Sequence, residues 1–335
     1  MNRERNLIKS ISNNMPRSSM QINKLFESDS EIISFNGLNL CHSIDEFSEE
    51  DMLRENDPYS LGWNVGVGSI TDILASGGTP KFYSHSLTID ELWSDEFVNR
   101  FTIGISDVLR EMKIDFIGGD FGISKTWRYT GSVYGIIEDN ILLRSKAIPK
   151  SSIYITGKVG KGNIEAAYKI YSDKIALKQF LSKIKNKFNL RYKESKLIRK
   201  YSHCCMDTSD GVYNCIKTIA NESNCGFYLD NIQYESIGSV LSKMVYLPIE
   251  ILFLGECGEY ELVFTIMEKK EKMFLEEAKN NRLNFYKIGE IKEKGVRKLK
   301  TKKREINLLD LEISARDFSN KVEYIKKLNE FLKDG

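Results

Sequence analysis

The chain has 335 residues, with 49 Lys plus Arg against 47 Asp plus Glu and a formal net charge of +2. Hydrophobic residues make up 41% and charged residues 29%, a globular balance that excludes wholesale disorder, and the length suggests two domains. The near-neutral charge gives no reason to expect a nucleic-acid partner, and no apolar run is long enough to span a bilayer. The N-terminus has charges but no apolar core of a secretory leader, so a cytoplasmic protein with reduced thiols at its six cysteines is expected. None of these forms a C-x-x-C pair and the histidines His42, His85 and His203 share no ligand spacing with them, which argues against a zinc site.

Residues 5–14 have the spacing of a short amphipathic helix. Residues 32–41 read as two strands around the turn Asn36-Gly37, followed by an acidic loop over 45–57. Residues 61–75 have helical apolar spacing, stopped by Gly77-Gly78. A strand over 83–89, a helix over 93–112 and a short strand over 114–117 follow, the last running into a turn at Gly118-Gly119-Asp120. Residues 130–137 and 141–143 read as a further strand pair and 153–156 as a strand, with a domain boundary near 147–152 that divides 1–148 from 149–335. The second half opens on a Lys-rich helical stretch over 164–201, has a strand-to-helix junction at Met206, strands over 226–229 and 262–266, a helix over 269–280 and a basic hairpin over 292–303.

The informative residues are aspartates at element ends: Asp29, Asp45, Asp72, Asp120, Asp207 and Asp210. A short carboxylate holds a hard cation close to the backbone, and magnesium prefers oxygen ligands completed by water or phosphate. Several aspartates in one place repel unless cations lie between them. Taken singly, each has a plain alternative, since a lone aspartate before a helix is more often an N-cap than a metal ligand. The densest junction is Met206-Asp207-Thr208-Ser209-Asp210-Gly211, where two carboxylates, a hydroxyl and a glycine meet. Cys257 reads as a small buried hydrophobe rather than a nucleophile, and Trp63, Trp93 and Trp127 read as core or interface residues.

The order of these segments resembles thiamine-monophosphate kinase, of the PurM-like superfamily that includes aminoimidazole-ribonucleotide synthetase, selenophosphate synthetase and the hydrogenase-maturation dehydratase. The resemblance is carried by Asp57-Pro58 through Ser69-Ile70-Thr71-Asp72 to Gly78-Thr79-Pro80, by Ile117-Gly118-Gly119-Asp120, by Arg144-Ser145-Lys146-Ala147, by 206–211 and by Glu259-Tyr260-Glu261-Leu262-Val263-Phe264. It implies an α/β N-terminal PurM-like domain, whose mixed sheet pairs with a second copy in a homodimer, and an α+β C-terminal PurM-like domain. Carried over residue by residue, it implies Asp29, Ser43, Asp45, Asp72, Asp120, Asp207 and Asp210 as Mg²⁺ ligands, and Gly119, Asp120, Arg144 and Ser209 as ATP contacts.

The implied reaction is transfer of the γ-phosphoryl of ATP to a small-molecule acceptor, resting on alignment and charge neutralisation with no protein base. In the family the acceptor is thiamine monophosphate. The acceptor side departs from the pattern. Met52 stands where a histidine is expected, Phe121 where a threonine is and Gly258 where a glutamate is, and 315–318 lacks the aromatic patch; apart from these, Ser28 stands where the N-terminal aspartate pair has its first carboxylate. Two other readings stay open: ATP-dependent activation of an amide or carboxylate oxygen by another superfamily chemistry, and a non-catalytic nucleotide-binding paralogue.

Overall fold

The computed structural model describes residues 3–184 and 186–334; the outer ends of the two expected domains lie outside the described residues. The first half contains α1 (Arg3–Asn14), β1 (Glu31–Phe35), β2 (Leu38–Ser48), α2 (Pro58–Ala75), β3 (Thr79–Asp90), α3 (Asp95–Met112), β4 (Asp115–Ser124) and β5 (Arg128–Ile137). Its five strands form one sheet in the order β1-β2-β5-β3-β4. All neighbours are antiparallel except β3 and β4. That parallel pair needs a crossover, which α3 supplies.

The second half contains β6 (Ser152–Ile155), α4 (Lys161–Ile170), α5 (Ile175–Ser182), α6 (Tyr192–Tyr201), β7 (Cys205–Asp207), α7 (Val212–Glu222), β8 (Gly226–Leu229) and α8 (Ser236–Met244). It continues with α9 (Ile251–Leu254), β9 (Leu262–Ile266), α10 (Glu268–Asn280), β10 (Tyr286–Lys292), β11 (Arg297–Lys300), β12 (Glu305–Asn307) and α11 (Lys321–Asp334). Its strands form a seven-stranded mixed sheet, β12-β11-β8-β10-β6-β9-β7. The mixed sheets and flanking helices are the two PurM-like domains expected.

Helix α2 is the element both halves share. Asp57 caps it, its side chain accepting from the Ser60 N–H, and Pro58 occupies the first turn, where a missing N–H costs nothing. Every residue from Leu61 to Thr71 is buried, so this is a core helix rather than an amphipathic one. One side packs on the first sheet through Ile70, Ile73, Tyr83 and Val133. The other side is tied to the segment before α6: Trp63 Nε1 donates to the Phe188 carbonyl at 2.9 Å, and the Phe188 N–H donates to Asn64 Oδ1 at 2.8 Å. The Ser195 hydroxyl of α6 donates to the Leu74 carbonyl at 2.9 Å. The hydrophobic core therefore runs from Val65 and Tyr129 through Phe188 and Ile198 to Phe264 without a break.

Four local expectations are corrected. The acidic loop expected from residue 45 is strand as far as Ser48, because β2 pairs with β5 along its whole length. The turn expected at Gly118-Gly119-Asp120 is the middle of β4, where a register shift against β3 absorbs the glycines. Residues 141–143 form no strand; the Leu142 and Leu143 N–H groups donate to the carbonyls of Ser76 and His203 instead. The Lys-rich stretch breaks into α4, α5 and α6, so its periodicity belongs to three separate faces.

The first sheet buries one face under α2 and α3 and leaves the other open. Ile44, Phe82 and Tyr134 lie on that open face, Phe82 directly opposite Tyr134, and are 61%, 46% and 43% exposed. Among the described residues no helix is long and apolar enough to cross a membrane.

The α2–α3 crossing depends on two glycines. A Cβ on Gly62 would lie 1.9 Å from the Phe101 carbonyl oxygen, and one on Gly104 would lie 2.2 Å from that of Tyr59. Backbone cannot yield as a side-chain tip can. Gly62→Val should lower stability by about 1–3 kcal/mol or more, read as a lower denaturant midpoint; an unchanged midpoint would contradict this packing.

Candidate functional site

Three chain segments carry acidic groups toward α2. The first is 28–30, which is clamped to the end of the helix: the hydroxyls of Ser28 and Ser76 lie 2.9 Å apart, and the Ser30 N–H donates to Ser76 Oγ at 3.0 Å. Ser28 is thus turned away, and Asp29 is the side chain presented to the interior. The second is β2, where Ser43 and Asp45 face the helix while His42 stacks on Tyr134 across the open face, ring centroids 4.3 Å apart. The helix can come close here because Gly131 stands opposite Asp45; a Cβ there would lie 2.2 Å from Ser69 Oγ. The third is the edge strand β7, which ends at Asp207.

These segments bring carboxylate oxygens of Asp29, Asp72 and Asp207 within 4.8 Å of one another. Asp72 accepts from the Ser43 hydroxyl at 2.6 Å. Asp207 accepts from the Thr71 hydroxyl at 2.8 Å on one oxygen and from the Ser209 hydroxyl at 2.8 Å on the other. Arg144 Nη2 donates to Asp29 Oδ1 at 2.7 Å. Arg144 itself is held by its backbone, its N–H donating to the Glu27 carbonyl and its carbonyl accepting from Ser223 Oγ. Asp29 Oδ2 and Arg144 Nε are buried with no hydrogen-bond partner.

One guanidinium does not balance this much negative charge. Burial pushes the Asp45 carboxyl up to about 8, with the charges of Asp207 and Asp29 adding to the shift and a hydrogen bond to Asp72 opposing it. Burial and then Asp29 raise Asp207 to about 7, against the hydrogen bonds from Thr71 and Ser209. Asp72 lies well above the usual carboxylate range, through burial and then Asp45, Asp207 and Asp29. Burial also raises Asp29, although Arg144 counters it. Such a set is chemically a receptor for hard divalent cations, which replace protons among oxygen ligands. The orphaned Asp29 Oδ2 and the converging oxygens fit magnesium ions.

The structure therefore gathers Asp29, Ser43, Asp45, Asp72, Asp207, Arg144 and Ser209. Asp210 stands at the mouth, open to solvent, 3.6 Å from Arg316. Gly119 and Asp120 are set apart on β4. Asp45, Gly131, His85 and Gly119 form one row across the sheet, three strand steps in all, or about 14 Å at the usual strand spacing. Within one copy, Asp120 cannot share an ion with Asp45. Thr71 is a positioning residue that sequence reasoning missed; its only signal is a β-branched hydroxyl beside Asp72 on a buried helix.

The remaining candidates have structural roles. Glu259, pushed up to about 8 by burial, accepts the Gly160 N–H on both oxygens at 2.8 and 2.9 Å. Glu261 is gripped by Arg191 at 2.6 and 2.7 Å. A Cβ on Gly258 would lie 2.7 Å from the Ser209 carbonyl oxygen, so this loop packs against the cluster more closely than a glutamate allows. Burial pushes the Cys257 thiol up to about 12, which removes it as a nucleophile. Trp127 is fully buried against Trp93.

Residues 27–137 match the family model described as AIR synthase related protein, N-terminal domain, and 157–302 match its C-terminal domain. The chain is 29% identical over 246 residues to a thiamine-monophosphate kinase of Buchnera aphidicola, covering 71% of this chain and 75% of that one. It is 26% identical over 257 residues to the Bacillus subtilis protein of the same name, covering 72% and 76%. Its fold is similar to a structure described as AaThiL complexed with AMPPCP and TMP, with a TM-score of 0.71, 22% identity and 90% and 94% of the two chains covered. It is similar also to the thiamine monophosphate kinase of Aquifex aeolicus, with a TM-score of 0.68, 22% identity and 89% and 98% covered.

The raised carboxyls make stability depend on pH. The folded protein holds protons on Asp45 and Asp207 that the unfolded chain releases near pH 4, so metal-free stability falls as pH rises toward 7 and 8. Magnesium binds the ionised form. Its addition should therefore raise the melting temperature more at pH 8 than at pH 6, and Asp72→Asn should reduce that difference. Equal shifts at both pH values would contradict the site.

Proposed function

The chain belongs to the AIR synthase-related family, and we propose that it is an ATP- and Mg²⁺-dependent kinase that phosphorylates thiamine monophosphate to thiamine diphosphate. The observation that carries this reading is the convergence of Asp29, Asp72 and Asp207 from both domains within 4.8 Å, with Arg144 as their guanidinium. The relatives' shared name supplies the acceptor. Asp29, Ser43, Asp45, Asp72 and Asp207 would hold divalent ions, whose chemistry is to neutralise phosphate charge and align the transferring group. Arg144 donates to Asp29 and counters the effect of burial on it; a planar fork would suit phosphate better than a lysine would. Ser209 steadies Asp207 through its hydroxyl and would stand beside a bound triphosphate. Asp210 adds charge at the mouth. The six free cysteines, five of them buried, support a reducing, cytoplasmic setting.

The dimer belongs to the same proposal. Its support is the open sheet face with Ile44, Phe82 and Tyr134, and the position of Asp120 on the outermost strand of that sheet. A second copy pairing there would bring Gly119 and Asp120 to the partner's cluster, completing each site in trans.

Two measurements test the reading. Wild-type protein should release ADP from ATP with thiamine monophosphate and Mg²⁺, and Asp72→Asn should abolish it; turnover surviving in that variant would overturn the assignment. Asp72→Asn and Asp120→Asn chains, each inactive alone, should regain one working site per mixed dimer when co-expressed. No recovery would place Asp120 outside any shared site.

A further inference from the structure

Arg316 lies beside Asp210, at the solvent-exposed edge of the carboxylate cluster, in the turn Ala315–Asp317 before α11. The turn's backbone is fixed from both sides. Glu256 Oε2 accepts from the Ser314 hydroxyl at 3.1 Å and from the Ala315 N–H at 2.8 Å. Lys321 Nζ donates to the carbonyls of Ala315 at 2.8 Å and Phe318 at 3.0 Å. The side chain is left 58% exposed and reaches 3.6 Å from Asp210 Oδ1. Arg144, the cavity's other guanidinium, is committed to Asp29. Arg316 instead takes the carboxylate of Glu4, which comes from α1. Helix α1 buries none of its residues. Besides Glu4 it is tethered by an ion pair from Arg5 to Glu222 and by Arg5 lying 4.4 Å over the ring of Phe26.

We propose that Arg316 is a specificity-determining residue that takes the phosphate of an anionic acceptor at the mouth of the site, and that Glu4 occupies its guanidinium until the acceptor displaces it. The proposal rests on the kinase reading above. A guanidinium fork matches carboxylate and phosphate oxygens alike, so the Glu4 carboxylate acts as an internal stand-in for the acceptor's anion. A phosphate monoester carries more charge than one carboxylate and competes well for an exposed pair. The neighbouring Glu256 loop carries the departures at Cys257 and Gly258. A guanidinium carried on a turn docked to that loop offers recognition by charge where the family's glutamate is missing.

The test is calorimetric titration of thiamine monophosphate, with inorganic phosphate as a second probe, into the full chain loaded with Mg²⁺ and a non-hydrolysable ATP analogue. Arg316→Ala should weaken binding of thiamine monophosphate by about tenfold or more. Arg316→Lys should restore part of it. Glu4→Gln should tighten binding by about twofold to fivefold, the range of an exposed ion pair. None of the three should change affinity for the analogue. Unchanged acceptor affinity in Arg316→Ala, no tightening in Glu4→Gln, or a wild-type protein that binds the analogue but neither probe would overturn the proposal. A wild-type protein that fails to bind the analogue would instead overturn the reading of the site itself.

Discussion

Carboxylates confined together in a buried space repel one another, and the architecture around them exists against that repulsion. Asp29, Asp72 and Asp207 converge with Arg144 as their counter-ion. Burial and mutual charge hold Asp45, Asp72 and Asp207 toward their protonated forms. Such a cluster is unfavourable for folding alone, since protons or cations must neutralise it. Its persistence depends on neighbours that leave each carboxylate little freedom: Ser43 on Asp72, Thr71 and Ser209 on Asp207, and Arg144 on Asp29.

Helix α2 makes that confinement possible. It is buried along most of its length, lies on the first sheet and is stitched to the second half through Trp63, Asn64 and Leu74. Adjacent residues on it face different partners. Asp72 meets Ser43 of the first sheet, and Thr71 meets Asp207 of the second. The two domains are therefore registered against each other at the point where the charges gather. A shift of the domains would open the cluster and expose its charge to water, so this geometry couples domain arrangement to occupancy of the site.

Much of this is legible in the sequence, because the decisive residues stand in short local motifs. The stretch from Asp207 to Gly211 declares a strand-to-helix junction and residues 61–75 declare a helix, though not its full burial, and the structure brings their carboxylates together. Other features are illegible for stated reasons. Gly118-Gly119 carries the local signal of a turn, yet pairing with β3 continues through it, and only tertiary pairing could reveal that. The polar residues of 45–48 look like loop because one face of β2 is open and the other carries the Asp45 carboxylate, which hides the usual alternation. The separation of Asp120 from Asp45 follows from strand order, which spacing along the chain does not encode. Arg316 and Glu4 are 312 positions apart and share no motif; their pairing is a property of the fold alone.

The account stands on divalent ions binding among these carboxylates around a triphosphate. Anomalous diffraction from crystals grown with Mn²⁺ and a non-hydrolysable ATP analogue tests it most directly. It predicts metal peaks ligated by Asp29, Asp72 and Asp207 and bridged to phosphate oxygens. Nucleotide bound with no metal at those three side chains, or metal bound elsewhere on the molecule, would contradict it.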